Sequence, residues 1–159
     1  MLDDVDLQIL ELLQDNARIA NAEIARSVGL TPPAALERIR KLEKKGVVRG
    51  FHARLDPTQL GRAMLAFVLL RTNETLDDPD TSDAISRLPE VQELHHVAGE
   101  DCYLLKVRVA SPKDLGLFLR RKLGKIPTVL STRTTVVLET VKEDPRLALD
   151  GAAGARDAS

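Results

Sequence analysis

Residues 21–48 read NAEIARSVGLTPPAALERIRKLEKKGVV, two short helical patterns parted by a glycine. The first can start at Asn21, whose side-chain oxygen can accept from the orphan amides of a first turn, with Ile24, Ala25 and Val28 as its apolar face. Gly29 stops it, because glycine relaxes at positive φ beyond a helix end. The chain then turns through Leu30 to Thr31, a second N-cap, and Pro32 at the first helical position restarts a helix. Two helices so joined form a helix-turn-helix.

Projected at the helical period, residues 31–45 place Ala35, Leu36, Ile39 and Leu42 on one side, which is core. The opposite side carries Glu37, Lys41, Lys44 and Lys45, with small Ala34 between them and Arg38 and Arg40 on the flanks. Charge on one face is commonly no more than a solvated surface. The small residues at the helix tip point further, to entry into the major groove of double-stranded DNA, because Thr31 and Ala34 let the helix approach base edges. Arg38 and Lys41 are then candidates for base or phosphate contacts, Glu37 for accepting from a cytosine amine, and Lys44, Lys45 and Arg49 for the phosphate backbone, with Arg40 beside them. Gly46 ends the helix, and Val47, Val48, Phe51 and Ala53 alternate with Arg49, Gly50, His52 and Arg54. That alternation predicts a strand beside the helix, the wing of a winged helix-turn-helix.

Charge is placed to match. Net charge over 159 residues is only -1, which excludes a bulk polycation. Yet residues 1–17 hold five acids and no Lys or Arg, while residues 36–49 hold six bases and two acids. Asp3, Asp4 and Asp6 suit the positive end of a helix dipole, and Leu2, Val5, Ile9, Leu12 and Leu13 follow as its apolar stripe, giving a first helix and a three-helix head. The single cysteine, Cys102, excludes an internal disulfide and fits a reducing cytosol. The start, MLDDVD, has no apolar signal core, and the longest apolar run, 63–70, is too short to span a bilayer, so a cytoplasmic protein is expected.

The stretch LDPTQLG, 55–61, is turn-rich and reads as a connector. AMLAFVLL, 63–70, is apolar at every position, the mark of a strand covered on both faces. Residues 79–88 predict a helix with Ala84, Ile85 and Leu88 inward; 91–97 and 103–109 predict a hairpin, with Tyr103, Leu105, Val107 and Val109 on one face. Ser111-Pro112-Lys113-Asp114 is a helix start with Leu115, Leu119 and Leu123 as its line, and a last strand is expected over about 131–141. The order is a split βαβ fold, four antiparallel strands with helices on one face. One helical layer cannot cover both faces of the sheet, so a homodimer through this domain is expected. The boundaries are 1–54 for the head, 55–62 for a linker, 63–144 for the second domain and 145–159 for a tail expected to be disordered.

The stretches LDDVDLQILELLQDNAR, EIARSVGLTPPAALERIRKLEKKGVV, LDPTQLG, VAGEDCYLLKV and TRTTVVLETVK, in this order and spacing, resemble the Lrp/AsnC (leucine-responsive, feast/famine) family of prokaryotic transcription regulators. The likeness covers residues 2 to about 147. It implies an α+β chain, an N-terminal winged helix-turn-helix joined to a C-terminal ferredoxin-like βαββαβ domain, that binds DNA as a dimer and commonly stacks dimers into octamers. A small effector, usually an amino acid, is implied at the second domain, in the loop Gly99, Glu100, Asp101, Cys102 and Tyr103 facing Thr132 and Thr134. Many members carry an acid where Cys102 stands; a neutral thiol cannot fix an ammonium, so either Glu100 or Asp101 takes over, or the effector is not a simple amino acid, or none binds. No cofactor or metal is implied. The rival class is a tetrapyrrole-modifying enzyme of siroheme-decarboxylase type, which resembles the same family and would draw on His52, His95 and His96. Adjacent His95 and His96 point to opposite faces of a strand, and no catalytic motif accompanies them.

Overall fold

The computed structural model describes residues 2–73 and 79–149. The chain divides into two compact units, one formed up to Arg54 together with the segment that starts at Glu143, the other Leu55–Lys142.

The first unit holds three helices, α1 (Asp4–Asp15), α2 (Asn21–Ser27) and α3 (Pro32–Lys44). Ile9, Leu10, Ile24, Ala25, Ala35, Ile39 and Leu42 form its core. α1 opens on a capping box: Asp3 Oδ1 accepts from the Asp6 N–H at 2.8 Å, and the Asp3 N–H donates to Asp6 Oδ2 at 3.3 Å. α2 differs from expectation at its start. Ala20, not Asn21, is its N-cap and no side chain caps it, because the Ala20 carbonyl already accepts from the N–H groups of Glu23 and Ile24 at 2.9 and 3.1 Å. At its other end Gly29 takes φ 69° and the Leu30 N–H donates back to the Ala25 carbonyl at 2.8 Å. Thr31 Oγ1 accepts from the Ala34 N–H at 3.4 Å and Pro32 follows, as the sequence predicts for the start of α3.

Beyond α3 the expected wing strand is not formed. Residues 45–63 contain turns and irregular chain, and Val47 and Phe51 are exposed. Alternation alone does not make a strand: its amides and carbonyls need a ladder, and among the described residues no neighbouring strand offers one. The tail expected to be disordered from 145 is ordered as far as it is described. The Leu147 N–H donates to Gln14 Oε1 at 2.7 Å while Gln14 Nε2 donates to the Leu147 carbonyl at 3.1 Å, so a side-chain amide stands in for a strand partner. Arg146 Nη1 reaches Asp15 at 2.8 Å, and Leu149 packs on the head core. Residues 150–159 of that tail lie outside the described residues.

The second unit contains β1 (Met64–Thr72), α4 (Pro79–Ser86), β2 (Val91–His96), β3 (Tyr103–Val109), α5 (Pro112–Arg121), a 3₁₀ turn (Leu123–Lys125) and β4 (Val129–Val136). The sheet order is β2-β3-β1-β4 with every pair antiparallel. The helices pack on the face that carries Ala66, Val68, Leu70, Leu105, Val107 and Val109, with Ile85, Leu115, Phe118 and Leu123 supplied from their side. Within α4, Ile85 is buried but Ala84 is exposed, and Thr81 is buried in its stead, its hydroxyl 2.6 Å from that of Thr128. α5 begins as expected, Ser111 Oγ accepting from the Asp114 N–H at 3.2 Å. β4 stops at Val136 rather than near Val141: Val136 pairs with Ala66 and the Val137 N–H still donates to the Leu65 carbonyl at 2.9 Å, but β1 begins at Met64, so residues beyond 138 have no strand to pair with, and Leu138 and Val141 are exposed.

Leu105, fully buried at the centre of this core, provides a stability test. Leu105→Ala is expected to lower unfolding free energy by about 2–5 kcal/mol, the range for removing a buried leucine, measured by urea titration.

Candidate nucleic-acid interface and ligand cavity

The outward face of α3 is exposed along Glu37, Arg40, Lys41, Lys44 and Lys45, and Arg49 is exposed beyond it. Thr31 is exposed at the tip and Ala34 half-buried, so the tip carries no bulky side chain. Glu37 and Lys41 form an i,i+4 ion pair at 3.8 Å, open to solvent and exchangeable for a ligand at little cost.

Arg38 stands apart from that row. Its Nη1 donates to Asp3 Oδ2 and to Asp6 Oδ1, both at 2.7 Å, so it bridges the two carboxylates of the α1 capping box. The two carboxylates sit side by side at the start of α1, and α3 brings a cation to both. The Arg38 hydrogen bond, followed by the Asp6 amide, holds the Asp3 carboxyl below its ordinary value of 3.8. The same contacts, Asp3 first, raise Arg38 further. Arg38 therefore fastens α3 to α1, where the sequence reading placed it on DNA.

In the second unit, a concavity of about 380 Å³ is lined by Leu69, Val97, Ala98, Gly99, Glu100, Asp101 and Arg133. Gly99 takes φ 139°, which a side chain would oppose, and its backbone turns the chain from β2 toward β3. Arg133 Nη2 donates to Asp101 Oδ2 at 2.6 Å; the arginine side chain is 70% exposed, the carboxylate 21%. Three of the expected effector residues, Gly99, Glu100 and Asp101, thus share one wall.

The other four do not. Thr132 pairs with Leu70 and Thr134 with Val68, which puts both on the helix-covered face, whereas Arg133 pairs with Leu69 on the open one. Tyr103 packs against the core and its ring lies 5.2 Å from that of His96. Cys102 continues the ladder, its N–H donating to the Leu70 carbonyl at 2.7 Å, and its Sγ lies 3.9 Å from the Thr72 carbonyl. Arg133 is the residue the sequence reading missed; strand alternation between the two threonines was the signal for it.

The histidines remain apart. His95 Nε2 is 3.2 Å from Glu93, a carboxylate held low mainly by its hydrogen bond from Lys106, while His96 turns to the other face. Among the described residues no group of three or more His, Cys, Asp or Glu side chains is placed to hold a metal. No helix among them is long and apolar enough to cross a membrane.

Comparison with known proteins agrees with both units. Residues 2–49 match a winged helix-turn-helix DNA-binding family, and residues 65–147 match the Lrp/AsnC ligand binding domain. The chain belongs to the Lrp/AsnC family. The leucine-responsive regulatory protein of Escherichia coli strain K12 is 40% identical over 150 residues, covering 93% of this chain and 92% of that protein. Among solved structures, an AsnC family transcriptional regulator from Agrobacterium tumefaciens superposes with TM-score 0.86 at 32% identity, over 94% of this chain and 98% of that one. A Neisseria meningitidis transcriptional regulator solved as an L-Met complex superposes with TM-score 0.87 at 28% identity, over 94% and 98%. This Lrp/AsnC chain is accordingly a transcriptional regulator with a helix-turn-helix and a ligand-binding domain. Its relatives carry regulator names, which favours that class over the tetrapyrrole enzyme.

The Arg38 clamp has a pH signature in this Lrp/AsnC head. A carboxyl held low in the folded state adds stability above its ordinary value, and that contribution is lost as pH falls through the folded one. In wild-type protein the Asp3 carboxyl should therefore titrate below 3.8 by NMR, and in Arg38→Met it should move up toward 3.8. An unchanged Asp3 titration would remove the clamp from the account.

Proposed function

We propose that this regulator binds operator DNA as a homodimer through α3, and that a free amino acid in the Gly99–Arg133 concavity modulates it. The observation that carries the DNA assignment is the exposed row Arg40, Lys41, Lys44, Lys45 and Arg49 on and beyond a helix whose opposite face is core. In this reading Lys41 and Glu37 exchange their mutual ion pair for base or phosphate contacts, Lys44, Lys45 and Arg49 neutralise phosphates, and Thr31 and Ala34 permit close approach. Arg38 positions α3 and does not touch DNA.

Dimerisation is proposed through the sheet face that bears Phe67, Leu69 and Leu104, which the helices leave uncovered; an octamer of stacked dimers follows the family pattern. For the effector, Arg133 offers a planar fork to an α-carboxylate, and Asp101 or Glu100 accepts from the ammonium. That places the charged clasp on residues adjacent to Cys102, so the absence of an acid at 102 does not remove it. The L-Met bound to the Neisseria relative supports this ligand class.

Two measurements test these assignments. Lys44→Ala should weaken binding alike on operator and unrelated DNA and flatten the salt slope by about 1, whereas Arg38→Ala should lower the melting temperature without DNA, a loss of about 1–2 kcal/mol. Equal operator affinity and salt slope in Lys44→Ala and wild type would overturn the DNA assignment. A thermal-shift screen of the twenty amino acids, with sedimentation of each hit, should find at least one that raises stability, and Arg133→Ala should abolish that rise. A stabilising amino acid unaffected by Arg133→Ala would place the effector elsewhere.

A further inference from the structure

The head is joined to the second unit twice. The chain leaves it between Arg54 and Leu55 and returns between Lys142 and Glu143, in both places through residues with neither helix nor strand. After its return the chain does not run loose: residues 143–149 are fastened to the head along their length.

At the crossing itself, Arg54 Nη2 donates to the Glu143 carbonyl and lies 3.9 Å from its carboxylate, so the outgoing and returning chains are held side by side. Further on, Arg146 is set by its own segment. Its N–H and its Nε both donate to Asp144 Oδ1 at 3.1 Å, and its Nη1 is presented to Asp15. Together with the paired bonds between Gln14 and Leu147, this holds the last two residues of α1, a helix whose first turn is already held by Arg38 of α3. Leu149 on the head core ends the run. Each exposed contact is weak alone, but with several on one short segment the segment stays seated while any one of them opens.

A head on one irregular connector samples many orientations, and most are given up when two heads of a particle engage one duplex. A second attachment removes many of them beforehand. We propose that residues 143–149 are a strap, and that Gln14, Arg54 and Arg146 are positioning residues: by seating the strap they limit the rotation of the head and so set which two half-sites one dimer occupies at once. This rests on the reading of the chain as a dimeric DNA binder. None of the three residues needs to touch DNA for the effect, because the second head binds as an intramolecular event whose effective concentration depends on how the first and second heads are tethered.

The test compares wild type with the Gln14→Ala, Arg146→Ala double variant in two ways. The DNA probe is a duplex selected by the wild-type protein from a random-sequence pool, titrated whole, cut to one half, and with about five base pairs, half a helical turn, inserted between the halves. The half should bind both proteins alike, the whole should bind the variant about tenfold more weakly, and the insertion should cost the variant less than wild type. Arg146→Lys in place of Arg146→Ala keeps a cation beside Asp15 and should restore part of the loss. Without DNA, a dye on exposed Glu23, as Glu23→Cys in a Cys102→Ser background, reports rotation of the head, and the fast part of its anisotropy decay should grow in the variant. An unchanged decay, or a whole-to-half affinity ratio equal in the two proteins, overturns the strap. Equal weakening on the half-site and the whole would make these contacts a matter of head stability and overturn it too. Failure of the DNA reading is distinct, as half-site binding that Lys44→Ala leaves unchanged.

Discussion

The central strand β1 is apolar on both faces and has helices on one. Ala66, Val68 and Leu70 are buried among Ile85, Leu115 and Phe118, while Phe67 and Leu69, on the other side, are only half-covered. Because β1 pairs with both β3 and β4, it cannot move to an edge to relieve this, and the asymmetry belongs to the whole sheet. The open face is not uniformly apolar either. Glu93 and Lys106 form an ion pair on it at β2 and β3, Lys106 Nζ 3.0 Å from Glu93, with the His95 ring beside them. An apolar centre with paired charges to one side suits a self-complementary contact better than a bilayer or an additional helix, since the charges can remain wet at a rim. The proposed dimer follows from that constraint, and with it two DNA-binding heads per particle.

Within the head, a second constraint decides which basic residues are available to DNA. α1 starts with two carboxylates brought together by the capping box, favoured by the helix dipole but repelling each other. Arg38 lies within 2.7 Å of both and so ties α3 to the start of α1, beside the apolar contacts of Ile39 and Leu42. The exposed row from Arg40 to Arg49 thus lies on a helix held both by its buried face and by an ion pair on one flank.

What could be read from the sequence was whatever depends on neighbours in the chain. Periodicity gave α1, α3, α5 and the β2–β3 hairpin, and cap chemistry gave Thr31 and Ser111 to the residue. The misses share a cause, which is partners distant in sequence. The expected strand at 47–54 is missing because among the described residues no second strand lies beside it, the β4 end falls short because β1 begins at Met64, and the tail is held because Gln14 and Asp15, more than a hundred residues away, receive Leu147 and Arg146. At the loop, the resemblance chose Thr132 and Thr134, but register with Leu70 and Val68 turns both toward the helices and leaves Arg133 beside Asp101. A shift of one residue along a strand exchanges its faces, so a motif can be in the right strand and still name the wrong side chains.

The proposed effector site is shaped by what binding must displace. At the loop, a zwitterion competes with the Asp101–Arg133 pair, and because that arginine is largely exposed the pair is weakly held, so exchanging it for ligand contacts changes little in net charge pairing. Affinity there then rests on the fit of the ligand side chain against Leu69 and Val97, which is where discrimination among amino acids would arise. The charged ends of the ligand therefore do little to choose among amino acids, and the apolar wall does most of it.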